Sequence, residues 1–257
     1  MSNTQAARER RVREGDSGFV QCADLNMFPM EACYRDYKLT KDGSLAVRIG
    51  LDVFNFTPYV LFLGGEYSRG KRLWTRLSVE EFEEMTSDNI YNKIKNNLES
   101  ETFMEPIHLG DINLEIEVLQ TSFHTWANLF LRRTENKYSS IMLDESTWKM
   151  LKRALSLIGS SLSDIQSLAH DARLYFPDYI NNCKNIAIEK GYPQTLPTED
   201  DALQTIFNEN TDDSFPLQLK REMICYHMDF LKEKLLSAMS SINAERSSTP
   251  TSLVSQA

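Results

Sequence analysis

The sequence lacks the features of a membrane or secreted protein. Its 257 residues contain no uncharged apolar run near the roughly 18 residues that a membrane-spanning helix needs. The first 15 residues are polar and include no apolar stretch, so we expect no secretory signal and a nuclear or cytoplasmic location. The four cysteines are far apart and form no CxxC pair, which is typical of thiols that stay reduced. We therefore expect an intracellular protein that does not bind a membrane.

Catalytic and metal-binding motifs are missing as well. The four histidines show neither HxH nor HExxH spacing, so a zinc site is not expected. The chain has no GxSxG motif, no phosphate-binding loop, no GxGxxG motif and no signature of paired carboxylates. We expect no enzymatic activity, no cofactor and no metal ion.

Positive charge is in the minority, and the formal net charge is -9. This balance argues against a polyanionic partner, but the acidic excess is concentrated in the C-terminal third, and local patches decide where a polyanion binds. One basic segment is the predicted flexible N-terminal arm, residues 1–32, which carries Arg8, Arg10, Arg11 and Arg13. The arm is either a solvated tail or an electrostatic arm or nuclear-import signal.

Apolar residues then alternate with period two, which indicates strands. Four such runs cover residues 34–39, 45–53, 59–63 and 72–77, and Gly43 marks the first turn. A capping box, Ser78 to Glu81, opens a helix. On one face of this helix lie Val79, Phe82 and Met85. The segment 33–100 is therefore predicted to be a ββββα unit.

The same order repeats over residues 101–161. Strand patterns cover 103–109, 112–118, 126–132 and 138–143, and Asp144 caps a helix with Trp148, Leu151 and Leu155 on one face. The run from Leu61 matches the run from Leu129 at an offset of 68, and Leu77 matches Leu143 at an offset of 66. This order of matches predicts an internal duplication of about 65 residues, and an α+β fold with two tandem ββββα units.

The rest of the chain, residues 162–243, is predicted to be a helical region with an acidic connection. One helix over 163–176 should end at Pro177, and another should cover 178–190. Residues 217–239 form a long helix that is apolar most of the way round, so it should be buried on several sides or bind a protein partner or a second copy. The tail, 244–257, is rich in Ser and Thr and is predicted to be disordered.

A four-stranded sheet with one helix leaves its second face free to bind a ligand. Basic side chains that contact phosphates, mixed with aromatic rings that stack on bases, are what single-stranded nucleic acid requires. The candidate contacts in the first unit are Tyr67, Arg69, Lys71, Arg72, Trp74 and Arg76. Those in the second unit are Trp126, Arg132, Arg133, Lys137 and Tyr138. The alternative is that these are ordinary exposed hairpin cations and half-buried aromatics.

Two of these runs resemble a known family. Residues 72–82 and, more clearly, 138–151 are similar to the C-terminal motif of the positive cofactor four family of transcriptional coactivators, which have a Whirly-like fold. The resemblance implies a single-stranded-DNA-binding fold whose domains pair through their helices, with the cations and aromatics given above as DNA contacts. In a tandem copy it implies an intramolecular pseudo-dimer, with Val79, Phe82 and Met85 packed against Trp148, Leu151 and Leu155.

The sequence thus predicts a protein that binds single-stranded DNA, or RNA, in transcription or replication. A tandem, acidic chain of this kind would suit a virus or mobile element. The competing hypothesis is a structural or protein-interaction protein that uses its sheets and the helix 217–239 to bind protein partners.

Overall fold

The computed structural model describes residues 29–67, 71–120, 122, 124–133, 140–193, 195–210 and 214–247. The fold is α+β, with two four-stranded antiparallel sheets followed by helices. The first half consists of β1 (Glu31–Lys38), β2 (Ala46–Asp52), β3 (Thr57–Tyr67), β4 (Lys71–Leu77), α1 (Val79–Thr86) and α2 (Asp88–Glu99). The second half consists of β5 (Met104–Leu109), β6 (Ile112–Gln120), β7 (Thr125–Arg133), β8 (Ser140–Leu143) and α3 (Glu145–Glu189). Three further helices follow: α4 (Asp200–Glu209), α5 (Leu217–Tyr226) and α6 (Met228–Ser247).

Each sheet is a simple meander. Sheet A has the order β1-β2-β3-β4 and sheet B the order β5-β6-β7-β8, and all neighbouring strands are antiparallel. The eight predicted strands are therefore confirmed in type and order. Gly43 takes the positive φ of +73° that the first turn requires, and the register shifts at Gly64 and Gly65. A Cβ at Gly64 would lie 2.8 Å from Ile141 Cδ1, so glycine lets β3 approach sheet B closely here.

The strand register corrects the predicted alignment of the two halves. Val60 pairs with Leu77 in sheet A, and Leu129 pairs with Leu143 in sheet B. Leu129 is therefore the counterpart of Val60, at an offset of 69, and the predicted offset of 68 was wrong by one residue. Because side chains alternate across a strand, one residue is enough to exchange the two faces.

Short helices follow sheet A because the local sequence starts one and interrupts it. Ser78 accepts a hydrogen bond from the Glu81 backbone N–H at 3.1 Å, and the Glu81 carboxylate accepts one from the Ser78 N–H at 2.8 Å. This capping box is confirmed. The helix does not run on to residue 98 as one element, since it ends at Thr86 and α2 begins at Asp88.

The inward faces of both sheets share one apolar core. Buried residues from sheet A, α1, α2, sheet B and the start of α3 form a single cluster. Trp148 of α3 is fully buried, stacks on Tyr91 of α2 at 5.2 Å between ring centroids and donates a 3.4 Å hydrogen bond to the Tyr91 carbonyl. Lys149 and Glu99 (3.0 Å) form an ion pair between the same helices. The two halves of the first 169 residues are thus joined through α2 and α3.

The helical region differs from the prediction in two places. The predicted break at Pro177 is absent, because α3 continues through this proline to Glu189. The predicted single helix over 217–239 is divided at His227 into α5 and α6, and α6 extends to Ser247. Most of the apolar residues of the segment 217–239, among them Leu219, Met223, Phe230 and Leu235, are buried within the chain. Leu217, Tyr226 and Leu236 remain exposed.

The chain divides into two compact units, residues 1–169 and 170–257. The second unit is built around aromatic rings, with Tyr179 stacked on Phe215 at 4.8 Å and close to Phe207 at 6.5 Å. This boundary lies inside α3, eight residues after the end predicted for the second ββββα unit at 161. The predicted arm, 1–32, overlaps β1 at Glu31, and residues 1–28 and 248–257 lie outside the described residues. None of the described helices is long and apolar enough to cross a membrane.

Candidate nucleic-acid interface

On the outward face of sheet A, opposite the shared core, the part formed by β3 is buried. Tyr59, Leu61 and Leu63 of β3 form a second apolar cluster with the half-buried Trp74 of β4. All three residues of β3 are at most 2 % exposed. The first sheet was expected to leave its second face open to a ligand, and this expectation is wrong for the part of the face that β3 forms.

Arg76, a predicted DNA contact, lies in the buried part of this outward face. Its side chain is 1 % exposed, and Nη2 lies 2.9 Å from Oδ2 of Asp52, which is 0 % exposed. Burial raises the pKa of Asp52, although the Arg76 guanidinium acts in the opposite direction. Arg76 is therefore removed from the set of candidate contacts, because a guanidinium buried against an acid is not accessible to a phosphate.

A second arginine of sheet A is neutralised in the same way. Arg48 contacts Glu31 at 2.8 Å and Asp36 at 2.6 Å, and it lies 4.1 Å above the ring of Tyr34. Burial lowers the pKa of Arg48, but the hydrogen bonds to Asp36 and Glu31 outweigh this and raise it overall. Tyr59 donates a further hydrogen bond of 2.9 Å to Glu31. The described side chains of this face therefore form a closed acid–base network rather than a basic patch.

The outward face of sheet B is the open one. Trp126 of β7 is 41 % exposed, Leu119 of β6 45 % and Met142 of β8 53 %. Phe130 of β7 lies on the same face, in register between Glu115 of β6 and Met142 of β8. Trp126 and Phe130 are four residues apart on one strand, so their rings share a face about 14 Å in span.

Arg132, near the end of β7, adds a cation to this open face. Its Nη1 lies 2.9 Å from Glu115 Oε2 and its Nη2 lies 2.5 Å from Glu117 Oε1. Its guanidinium carbon is 4.8 Å from the centroid of the Phe130 ring. Between 28 % and 43 % of each of the three charged side chains is exposed, so the group is accessible to a ligand.

The structure does not bring all the predicted contacts together. Trp126 and Arg132 lie on the open face, and Trp74 lies on the buried face. The backbones of four further candidates belong to strands, but their side chains lie outside the described residues: Tyr67, Lys71, Arg72 and Arg133. Three candidates fall wholly outside the described residues: Arg69, Lys137 and Tyr138.

The six residues predicted to join the two units are all part of the shared core. Val79, Phe82, Met85, Trp148 and Leu151 are buried in it, and Leu155 packs against it while partly buried. The ring that stacks on Trp148 belongs to Tyr91 of α2, which the prediction did not include.

Sequence reasoning missed Phe130, Met142, Glu115 and Glu117. The signal was present, since β6 alternates apolar residues with Asn113, Glu115 and Glu117. The alignment at offset 68 placed Phe130 beside Phe62, whose side chain is in the core. Alignment from Leu77 and Leu143 backwards through the strand pairs would have assigned Phe130 to the open face.

Within the part of the chain that the structure describes, no three histidine, cysteine, aspartate or glutamate side chains are grouped as a metal site requires. Comparisons of the chain with protein-family models, with curated proteins and with solved structures found no match. The resemblance to positive cofactor four therefore stays a prediction.

Proposed function

We propose that this protein binds single-stranded nucleic acid, without catalysis, through the outward face of sheet B. The observation that carries the proposal is the exposed Trp126, four residues from Phe130 and Arg132 on a face that the core does not use. Aromatic rings stack on bases of any sequence, and arginine adds a charge and a planar surface. The exposed Leu119, Trp126 and Met142 add support, since they show that the core does not cover this face of sheet B.

The proposal includes the pairing of the two halves as a pseudo-dimer of the positive cofactor four type. It is supported by the equal strand order of the two sheets and by the core that both halves share. The outward faces are not equivalent, because Leu61 and Leu63 occupy the places of Phe130 and Arg132. We therefore assign base stacking to sheet B alone and leave phosphate contacts from the cations of sheet A to be tested; the process that we propose is transcription or replication in the nucleus or cytoplasm.

The test is fluorescence anisotropy of a labelled oligothymidylate titrated with the full chain at several salt concentrations. Trp126→Ala should weaken binding by about 1–3 kcal/mol, the value of one base stacked on an aromatic ring. Tyr226→Ala is the matched control, because Tyr226 is 63 % exposed and lies outside the proposed face. Equal binding by the two variants would count against the site, and an oligouridylate arm compares RNA with DNA.

The candidate cations of the hairpin between β3 and β4, such as Arg72, are tested by the salt dependence of oligonucleotide binding and not by affinity alone. If Arg72 contacts a phosphate, Arg72→Ala should reduce the slope of log K against log salt by about 0.7, the value for one contact to a single strand. An unchanged slope would remove Arg72 from the interface.

A protein-binding function is the second candidate, and one observation favours it. Arg132 is matched by two carboxylates, so the charges of this group of three sum to -1 beside the exposed Leu119, Trp126 and Met142. An apolar face without excess positive charge is typical of protein interfaces. Weak oligonucleotide binding that changes with neither salt nor Trp126→Ala would favour this function.

A further inference from the structure

The side chain of Arg132 lies along the surface of sheet B instead of pointing into solvent. Its partner in register on β6 is Asn113, yet its guanidinium reaches Glu115 and Glu117, two and four positions further along that strand. Glu115 is directly opposite Phe130, so the path of the side chain crosses the Phe130 ring. We call Arg132, Glu115 and Glu117 the carboxylate latch.

The latch affects both properties that a nucleic acid needs from this face. The two carboxylates more than neutralise the charge of Arg132, and the guanidinium covers the ring of Phe130 at 4.8 Å. A phosphate that takes the Nη1 or Nη2 contact of Arg132 must displace the carboxylate that holds it, and a base that stacks on the covered side of the Phe130 ring must displace the guanidinium. Both events break contacts of the same arginine side chain.

The latch is weak enough to open. Ion pairs between partly exposed side chains shift an equilibrium by only about 1.5- to 5-fold each, and salt weakens them further. Arg132 is 33 % exposed and Glu117 43 %, so both groups are partly hydrated in the pair and can be hydrated fully when it breaks.

From this geometry we propose that the carboxylate latch restrains the site, and that the backbone phosphates of a single strand open it by competing with Glu115 and Glu117 for Arg132. The inference rests on the proposed function and adds its regulation. The latch sets the affinity of the closed site below what its aromatic rings and arginine could give.

The test compares four forms of the full chain on a labelled oligothymidylate of about 20 nucleotides, longer than a typical single-strand site. The forms are wild type, Glu115→Gln with Glu117→Gln, the same pair with Arg132→Ala, and a control with Glu83→Gln and Glu84→Gln. Glu83 and Glu84 are exposed on α1, so the control removes equal charge without touching the latch. Each single Gln variant gives an intermediate measurement if the double variant does not fold.

The release of Arg132 should tighten binding by about 2- to 20-fold, from two exposed pairs. The gain should be absent from the control and should disappear with Arg132→Ala. If wild type binds but the gain is absent, or persists without Arg132, the latch is overturned and the proposed function stands. If no form binds, the proposed function fails and the latch with it.

Discussion

Arg76 and Arg132 show how the position of an arginine on a sheet decides what it can do. Arg132 lies on an exposed face, and its two acids can exchange with an external anion. Arg76 is 1 % exposed beside a fully buried Asp52, and Asp52 also accepts a hydrogen bond of 3.2 Å from the Phe54 N–H. Two buried charges of opposite sign stabilise each other only as a pair. The loss of one leaves the other buried without a partner, which lowers the free energy of unfolding strongly.

Arg76→Met is therefore expected to destabilise the first unit by about 3–5 kcal/mol at neutral pH, the usual cost of an uncompensated buried charge. Burial raises the pKa of Asp52, so its folded form holds a proton more strongly than its unfolded form. The contribution of this raised pKa to stability is present below the ordinary value of 3.8, and it is lost as the pH rises through the pKa that Asp52 has in the folded protein. The penalty of Arg76→Met should thus shrink on acidification, which thermal unfolding between pH 3 and pH 7, about the range of an aspartate, will measure.

The control is the double variant with Asp52→Asn and Arg76→Met. It removes both charges, so it should recover part of the lost stability and should show little of the pH dependence of the single variant. A penalty of equal size in both variants, at every pH, would mean that packing and not charge explains the loss.

At the scale of the element, the start of α3 depends on one carboxylate. Asp144 accepts hydrogen bonds from the Thr147 N–H at 2.8 Å and the Thr147 hydroxyl at 2.7 Å. Burial raises the pKa of Asp144, but these bonds and those from Ser146 outweigh it and lower the pKa overall. The contribution of a lowered pKa is present above the ordinary value of 3.8 and is lost as the pH falls through the folded pKa.

Asp144→Ala should lower Tm by about 2–4 °C at pH 7, corresponding to about 1 kcal/mol for a lost cap. The difference from wild type should become smaller below the ordinary pKa of 3.8. Asp144→Asn keeps a hydrogen-bond acceptor without the charge. Its Tm should therefore stay closer to that of wild type, and its stability should lack the pH dependence that the Asp144 carboxylate contributes. A deficit of Asp144→Ala that is constant with pH would contradict this account of the cap.

A further element, the turn between β5 and β6, is tied to α1 through Glu81. Oε1 of Glu81 accepts a hydrogen bond from the Asp111 N–H at 3.3 Å, and a Cβ at Gly110 would lie 2.8 Å from the same atom. Gly43 is the matched control, because its φ is +73° against +54° for Gly110, yet the nearest atom to its Cβ would be 3.4 Å away.

Both Gly43→Ala and Gly110→Ala are expected to cost about 1–2 kcal/mol for a left-handed backbone. Gly110→Ala should cost more, since the carboxylate that caps α1 must also move and weaken the capping box. Urea unfolding of the two variants measures this difference. Equal losses would show that Glu81 adapts freely and does not link the two halves.

The elements of this fold were predictable because their signals are local. Alternation over residues 45–53 and 112–118, and the capping box at Ser78, act within a few residues. The burial of Leu61 and Arg76 was not predictable, because it depends on what covers the outward face of sheet A. The predicted helix end at Pro177 was wrong because it rested on the usual local effect of a proline, whereas α3 continues through this one.

At the scale of the whole molecule, the two compact units have separate cores. The cluster of the first unit ends at Leu162, whereas the stacked rings of the second unit begin at Phe176. The helix α3, Glu145–Glu189, supplies residues to both. Because each unit is compact by its own internal contacts, we expect the two units to unfold in separate cooperative steps.

Calorimetry of two cavity variants tests this division. Trp148→Ala removes a fully buried ring from the first core, and Phe207→Ala removes one from the second, each at a cost of about 3–5 kcal/mol. Each variant should lower the midpoint of one transition and leave the other in place. If instead either variant shifts a single transition for the whole chain, then α3 couples the cores into one cooperative structure, and a ligand on sheet B would stabilise the C-terminal helices as strongly as the sheets.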